Sequence, residues 1–190
     1  MDIFSKKPKI DQESFLTVLL VKLIEDSSTP ILSALHSQWK QLMSDKVFDA
    51  LSKEIHFALF FGGVVVANAL MIKNKNCNQI LQDCITYKEM KYFIEQNHDK
   101  QQIESLIDEL KNGLTKYSDL FKELAISDKK DLVIALDNGI QKLSDEASKY
   151  IEPLILELQG EQKQEVLTVA KGAIKMGMNS ILKDILNVLK

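Results

Sequence analysis

Residues 55–72 read IHFALFFGGVVVANALMI, eighteen positions without a charged side chain. Continued as one helix, this run is about 27 Å long at 1.5 Å per residue. A chain of 190 residues folds to a radius of gyration of about 16 Å, so a rod of that length passes through its middle. The same length nearly matches a bilayer core of about 30 Å. Three structures therefore compete for the run: a buried central helix, a membrane span, and a hairpin turning at Gly62-Gly63 between Phe60-Phe61 and Val64-Val65-Val66. Ten Ile, Leu, Phe and Val residues favour the span, while His56, Asn68 and the glycine pair oppose it. The hairpin finds no other strand in the sequence to pair with, and an isolated hairpin is marginal. The flanking segments decide. They are amphipathic with helical period, so they need a common apolar element to cover. The expectation is an all-α multi-helix bundle, about six to eight helices around a central apolar helix, folded as a single domain over 1–190. Sub-units 1–98 and 99–190 are the alternative division.

Outward from the apolar run, helix punctuation recurs. Asp11 caps a first helix of about 12–26 with Leu16, Leu19, Leu20, Leu23 and Ile24 as its apolar stripe. Thr29-Pro30 pairs a cap with proline at a first helical position and opens a second helix through Met43. Ser44-Asp45 starts a third, which runs into the apolar segment. Asn74, Asn76 and Asn78 mark a loop. Thr86 with Glu89, and Asp99 with Gln102, both have capping-box spacing. Beyond them Ile103, Ile107, Leu110, Leu114, Tyr117, Phe121 and Leu124 alternate steps of four and three. Leu136, Ile140, Leu143, Ala147 and Tyr150 continue a second such seam begun at Val133. Two antiparallel helices joined near 126–128 would bury these seams against each other. Pro153 ends or kinks the helix before it. Gly160 precedes a last helix of about 161–189, whose inner face is Val166, Ala170, Ala173, Gly177, Ile181, Ile185 and Val188.

Residues 106–119, LIDELKNGLTKYSD, and 132–145, LVIALDNGIQKLSD, share Asn-Gly followed by an apolar residue and a closing Ser-Asp. Asn-Gly is a helix C-terminus signal, so a duplicated helix-turn-helix competes with two unbroken helices. Two copies are too few for a solenoid.

Charge narrows the function. All 24 basic residues are lysine and the net charge is −3. Arginine, the usual residue for bidentate contacts to phosphate and guanine, is absent, which argues against a sequence-reading nucleic-acid protein. Residues 99–165 carry 9 lysines and 15 acids, net −6; residues 166–190 carry 4 lysines and 1 acid, net +3. Cys77 and Cys84, seven residues apart, lie about 10 Å apart on one helix, beyond the roughly 7 Å a disulfide spans. With no Asn-x-Ser/Thr site and no signal-peptide pattern, a reducing, cytoplasmic location is expected.

Chemistry-bearing residues are few. Glu95-x-x-His98 has the spacing of a di-iron carboxylate bundle, which needs a second such motif and two further glutamates. His56 beside Phe57 reads as a core or interface histidine. His36 and the two cysteines complete no metal set, and no phosphate-binding or nucleophile-elbow motif occurs. Phe60-Phe61-Gly62-Gly63-Val64 resembles the BH1 region of Bcl-2-like proteins over five residues. The Asn-Trp-Gly-Arg stretch of that family is replaced by Leu51-Ser52-Lys53-Glu54, and the apolar helix comes earlier in the chain than in that fold.

What remains is a helical framework without visible chemistry. It points to a non-enzymatic interaction protein that binds a protein partner or self-associates. The alternatives are a carrier or sensor of an apolar ligand beside the central helix, a membrane-associated helical protein, and an enzyme whose groups assemble only in three dimensions. The expected contact residues are Phe57, Phe60, Phe61, Gly62 and Gly63 on the central helix, with Met176 and Met178, adaptable thioethers, on the last. No catalytic residue, metal or cofactor is assigned.

Overall fold

A computed structural model describes residues 12–70, 77–94, 99–117, 120 and 132–188. Among these the elements are α1 (Gln12–Trp39), α2 (Asp45–Leu70), α3 (Cys77–Ile94), α4 (Lys100–Thr115), α5 (Leu132–Ile151), a 3-10 turn (Glu152–Ile155) and α6 (Gly160–Val188), with no strand. The protein is an all-α bundle.

The apolar run forms most of α2, and it is the hub. α2 packs against all five other helices and the 3-10 turn. Ile55, Ala58, Leu59, Phe60 and Ala67 are fully buried, and Phe61, Val64 and Val66 nearly so. By length and composition α2 is the one described helix able to cross a bilayer, but its apolar surface is spent on its own neighbours. The hairpin reading fails because residues 62–63 are helical. Gly62 and Gly63 are there for close approach: a Cβ on Gly62 would stand 2.5 Å from Met178 Sδ of α6 and 2.6 Å from Leu143 Cδ2 of α5, and one on Gly63 2.7 Å from Ile24 of α1. Gly63→Ala is expected to cost about 1 kcal/mol, overpacking outweighing alanine's helix advantage of about 1 kcal/mol. Combined with Ile24→Ala it should cost less than the two single changes added together, by at least about 1 kcal/mol. Additive denaturation midpoints would show that the two residues do not share one space.

Other boundaries agree with the sequence. Ser44 Oγ accepts from Val47 N at 3.4 Å ahead of α2. The Asp99 capping box is complete: Gln102 N donates to Asp99 Oδ1 (2.9 Å) and Asp99 N to Gln102 Oε1 (3.0 Å). Pro153 sits in the first turn of the 3-10 segment that ends α5. Gly160 enters α6 at φ +57°, a conformation that favours glycine. The inner face of α6 is buried as expected, except that Val188 is exposed.

Four expectations are corrected. α1 does not break at Thr29-Pro30 but runs through it. The Ser28 and Thr29 hydroxyls donate to the Glu25 carbonyl, and buried Ile24, Leu35 and Trp39 anchor both halves to the core. Packing outweighs the penalty of a proline inside a helix. Thr86 does not start a helix. It lies inside α3, as does Asn78, because Ile80, Cys84, Ile85 and Lys88 continue one buried stripe past it. The Asn-Gly copies are not equivalent: Gly113 lies two residues before the end of α4, whereas Asn138-Gly139 and Ser144-Asp145 lie within α5. Finally, among the described residues the two seams meet only at their ends, where Tyr117 packs edge-on against Tyr150 with 5.8 Å between centroids, and not along their length. α4 packs on α2 and α3, and α5 on α2 and α6. The hub α2 supplies the apolar surface that each seam needs. Asn74, Asn76, Phe121, Leu124 and the junction at 126–128 lie outside the described residues.

Candidate functional site

Of the contact residues expected from sequence, Phe61, Gly62 and Met178 converge on one small apolar cavity, and the others do not join them. Phe60 lies under the Lys88 ammonium, 5.1 Å from its ring centroid. Phe61 stacks at a tilt on Tyr117, 5.6 Å between centroids. Met178 is buried against Gly62, while Met176 points outward, 67% exposed. The free space beside Gly62 is about 20 Å³, lined by apolar groups including Phe61, Val65, Leu136 and Ile140; that is room for about one water molecule. Of the seven residues, Phe57 alone combines partial burial with a place in a large concavity.

That concavity is a groove of about 1140 Å³ between α2 and α4, flanked by Leu154 of the 3-10 turn. Its α2 wall presents Lys46, Asp49, Ala50 and Lys53, and its α4 wall Gln101, Glu104, Ser105 and Asp108. The pairs Lys53–Glu109 (2.8 Å) and Phe57–Gly113 advance together by one helical turn, so the two helices run parallel here. Gly113 sets the close contact, because a Cβ there would run into the Phe57 ring.

Glu54 and Lys116 line the same groove. The Glu54 carboxylate is 4% exposed, with Lys116 Nζ 2.6 Å from Oε2. Tyr117 donates its hydroxyl to Oε1 at 2.6 Å. Burial, with the Glu54 charge beside it, holds the Tyr117 hydroxyl far above its ordinary pKa. The Lys116 ammonium also lies 5.1 Å from the Tyr150 ring centroid. These contacts tie α2, α4 and α5 together at one point.

A second polar cluster lies between α1, α2 and α3. Lys88, 4% exposed, stands 3.3 Å from Glu25 Oε1 and 3.3 Å from His56 Nε2. An ammonium only donates, so His56 accepts through Nε2 and carries its proton on Nδ1. Lys91 adds a second cation at 2.8 Å from Glu25. Burial and the Lys88 charge press the His56 pKa down to about 4. Burial raises the Cys84 thiol to about 12, which leaves it a poor nucleophile. Burial also lowers Lys88, partly offset by Glu25. For Glu25 burial works upward, but the Lys91 hydrogen bond and the Lys88 charge outweigh it and hold the carboxyl below its ordinary value.

Glu25, Glu54, Lys88, Lys116 and Tyr117 were not expected from sequence as polar partners. The available signal was a charge inside an apolar stripe: Glu54 follows Leu51 and precedes Ile55, and Lys88 follows Ile80, Cys84 and Ile85. His36 packs edge-on against Phe48, 4.8 Å between centroids. Glu95 and His98 lie outside the described residues, and no metal-binding group of His, Cys, Asp and Glu occurs among those described. Comparison with protein-family models, curated proteins and solved structures finds no match. The five-residue likeness of 60–64 to BH1 therefore stands alone.

Proposed function

We propose that this protein is a non-enzymatic interaction protein that receives a helical segment of a protein partner in the α2–α4 groove. The observation that carries this reading is the groove itself: about 1140 Å³ of open space between two parallel helices, with half-buried Phe57 among its lining. A helix is a cylinder about 10–12 Å across that rises 1.5 Å per residue. Laying an amphipathic helix into a groove is a recurring mode of recognition. Of the groups with perturbed proton affinity, His56, Cys84, Lys88 and Tyr117 are enclosed among their neighbours, which favours binding over chemistry.

The test compares capture by the wild-type chain and by Glu104→Lys/Asp108→Lys. Both residues are exposed, so the variant should keep its stability to within about 0.5 kcal/mol. A partner retained by wild type and lost by the equally folded variant is the expected result. Identical retention by both would overturn the reading.

A further inference from the structure

We infer that the occupant of the groove is a lysine- or arginine-bearing amphipathic helix, its cations set toward the carboxylates of α4 and an apolar residue set over Phe57. This rests on the docking reading above and adds the chemistry of the partner.

Charge complementarity selects that occupant. The lining holds three lysines and five carboxylates. Two pairs are internal: Lys53 with Glu109, and Lys116 with Glu54. That leaves Lys46 against Asp49, Glu104 and Asp108, an excess of two negative charges on the open walls. Glu104 has Lys100 at 3.7 Å, but their side chains are 61% and 86% exposed, and such surface pairs contribute little. A net negative excess on the walls of a groove draws cations toward it. Phe57 supplies the apolar contact, held in place by its packing on Gly113. A partner helix with cations along one flank and an aliphatic residue beside them satisfies both features. An acidic helix would face Glu104 and Asp108 with like charge.

Two synthetic eighteen-residue amphipathic helices test this, identical except that one carries lysine and the other glutamate along the same flank. The lysine helix should bind and shift the amide resonances of residues 46–57 and 101–112. The glutamate helix should not. Glu104→Lys/Asp108→Lys should weaken binding at least tenfold. Glu161→Lys/Glu165→Lys, which makes the same charge change at exposed positions of α6, should leave it within twofold. Equal loss in both variants would reduce the effect to non-specific attraction and overturn the inference, as would equal binding of the two helices. A groove-dependent partner captured as described above, together with no binding of the lysine helix, would sink the inference and leave the docking reading standing. Loss of both would sink both.

Discussion

Replacing Glu54 with alanine is expected to lower the unfolding free energy by about 3 kcal/mol, among the larger single-residue effects in the protein. Removing one member of a buried charged pair typically costs about 3–5 kcal/mol, because its partner is left uncompensated. Here one partner escapes part of that cost: the Lys116 side chain is 36% exposed and can turn to water. The other cannot. Tyr117 is fully buried, and its hydroxyl donates to Glu54 Oε1. An orphaned buried donor costs about 1–3 kcal/mol. Tyr117→Phe in the alanine background should therefore recover about 1 kcal/mol or more, since it removes the orphan. Glu54→Gln keeps an acceptor for Tyr117 and should fall between wild type and alanine. Urea denaturation of the four proteins measures these differences. A loss below about 1 kcal/mol for Glu54→Ala, under the cost of even one orphaned donor, would show that this junction of α2, α4 and α5 contributes little.

Acidification should destabilise the fold well above the range where carboxylates titrate. The His56 pKa falls from 6.5 to about 4 on folding. Between those values the unfolded chain binds a proton that the native state refuses, so stability rises with pH through this window and is lost as pH falls. At 1.36 kcal/mol per unit, the full window is worth about 3 kcal/mol, and the part between pH 7 and pH 5 about 2 kcal/mol. Lys88 works in the same direction as burial, and Glu25, held by Lys88 and Lys91, works against them. The lowered Glu25 value adds its own loss only at more acidic pH, below the ordinary 4.5. Denaturation midpoints from pH 7 to pH 5 should fall in the wild type and flatten in His56→Gln. An unchanged slope in the variant would place the pH dependence elsewhere.

The hub was legible because it rests on composition: eighteen residues without charge can be covered only by something apolar, and the amphipathic flanks supplied the cover. The Asp99–Gln102 box, Pro153 and Gly160 were legible for a different reason. Their conformational preferences are local and met no opposing contact. Thr29-Pro30 and Thr86 carried equally good local signals and misled, because buried side chains on both sides held the helix through them. The seams at 103–117 and 136–150 had the right residues, but they touch each other at Tyr117 and Tyr150 and take other partners along the rest of their described length. Heptad spacing fixes which face is apolar but not what covers it, and these faces were shared between α2 and a second neighbour, α3 for α4 and α6 for α5. The groove was not legible at all. Its walls are far apart in the chain, and its shape depends on Gly113 meeting Phe57 and Lys53 reaching Glu109.

The docking function is tested most directly by site-specific photo-crosslinking in intact cells of the source organism. A photoreactive residue is placed at Ser105, on the α4 wall of the groove, or at Thr168, exposed on α6. Occupancy of the groove predicts a discrete protein adduct from Ser105, absent from Thr168 and abolished by Glu104→Lys/Asp108→Lys. Adducts of equal yield from both positions, or none from Ser105 in the folded protein, would contradict it.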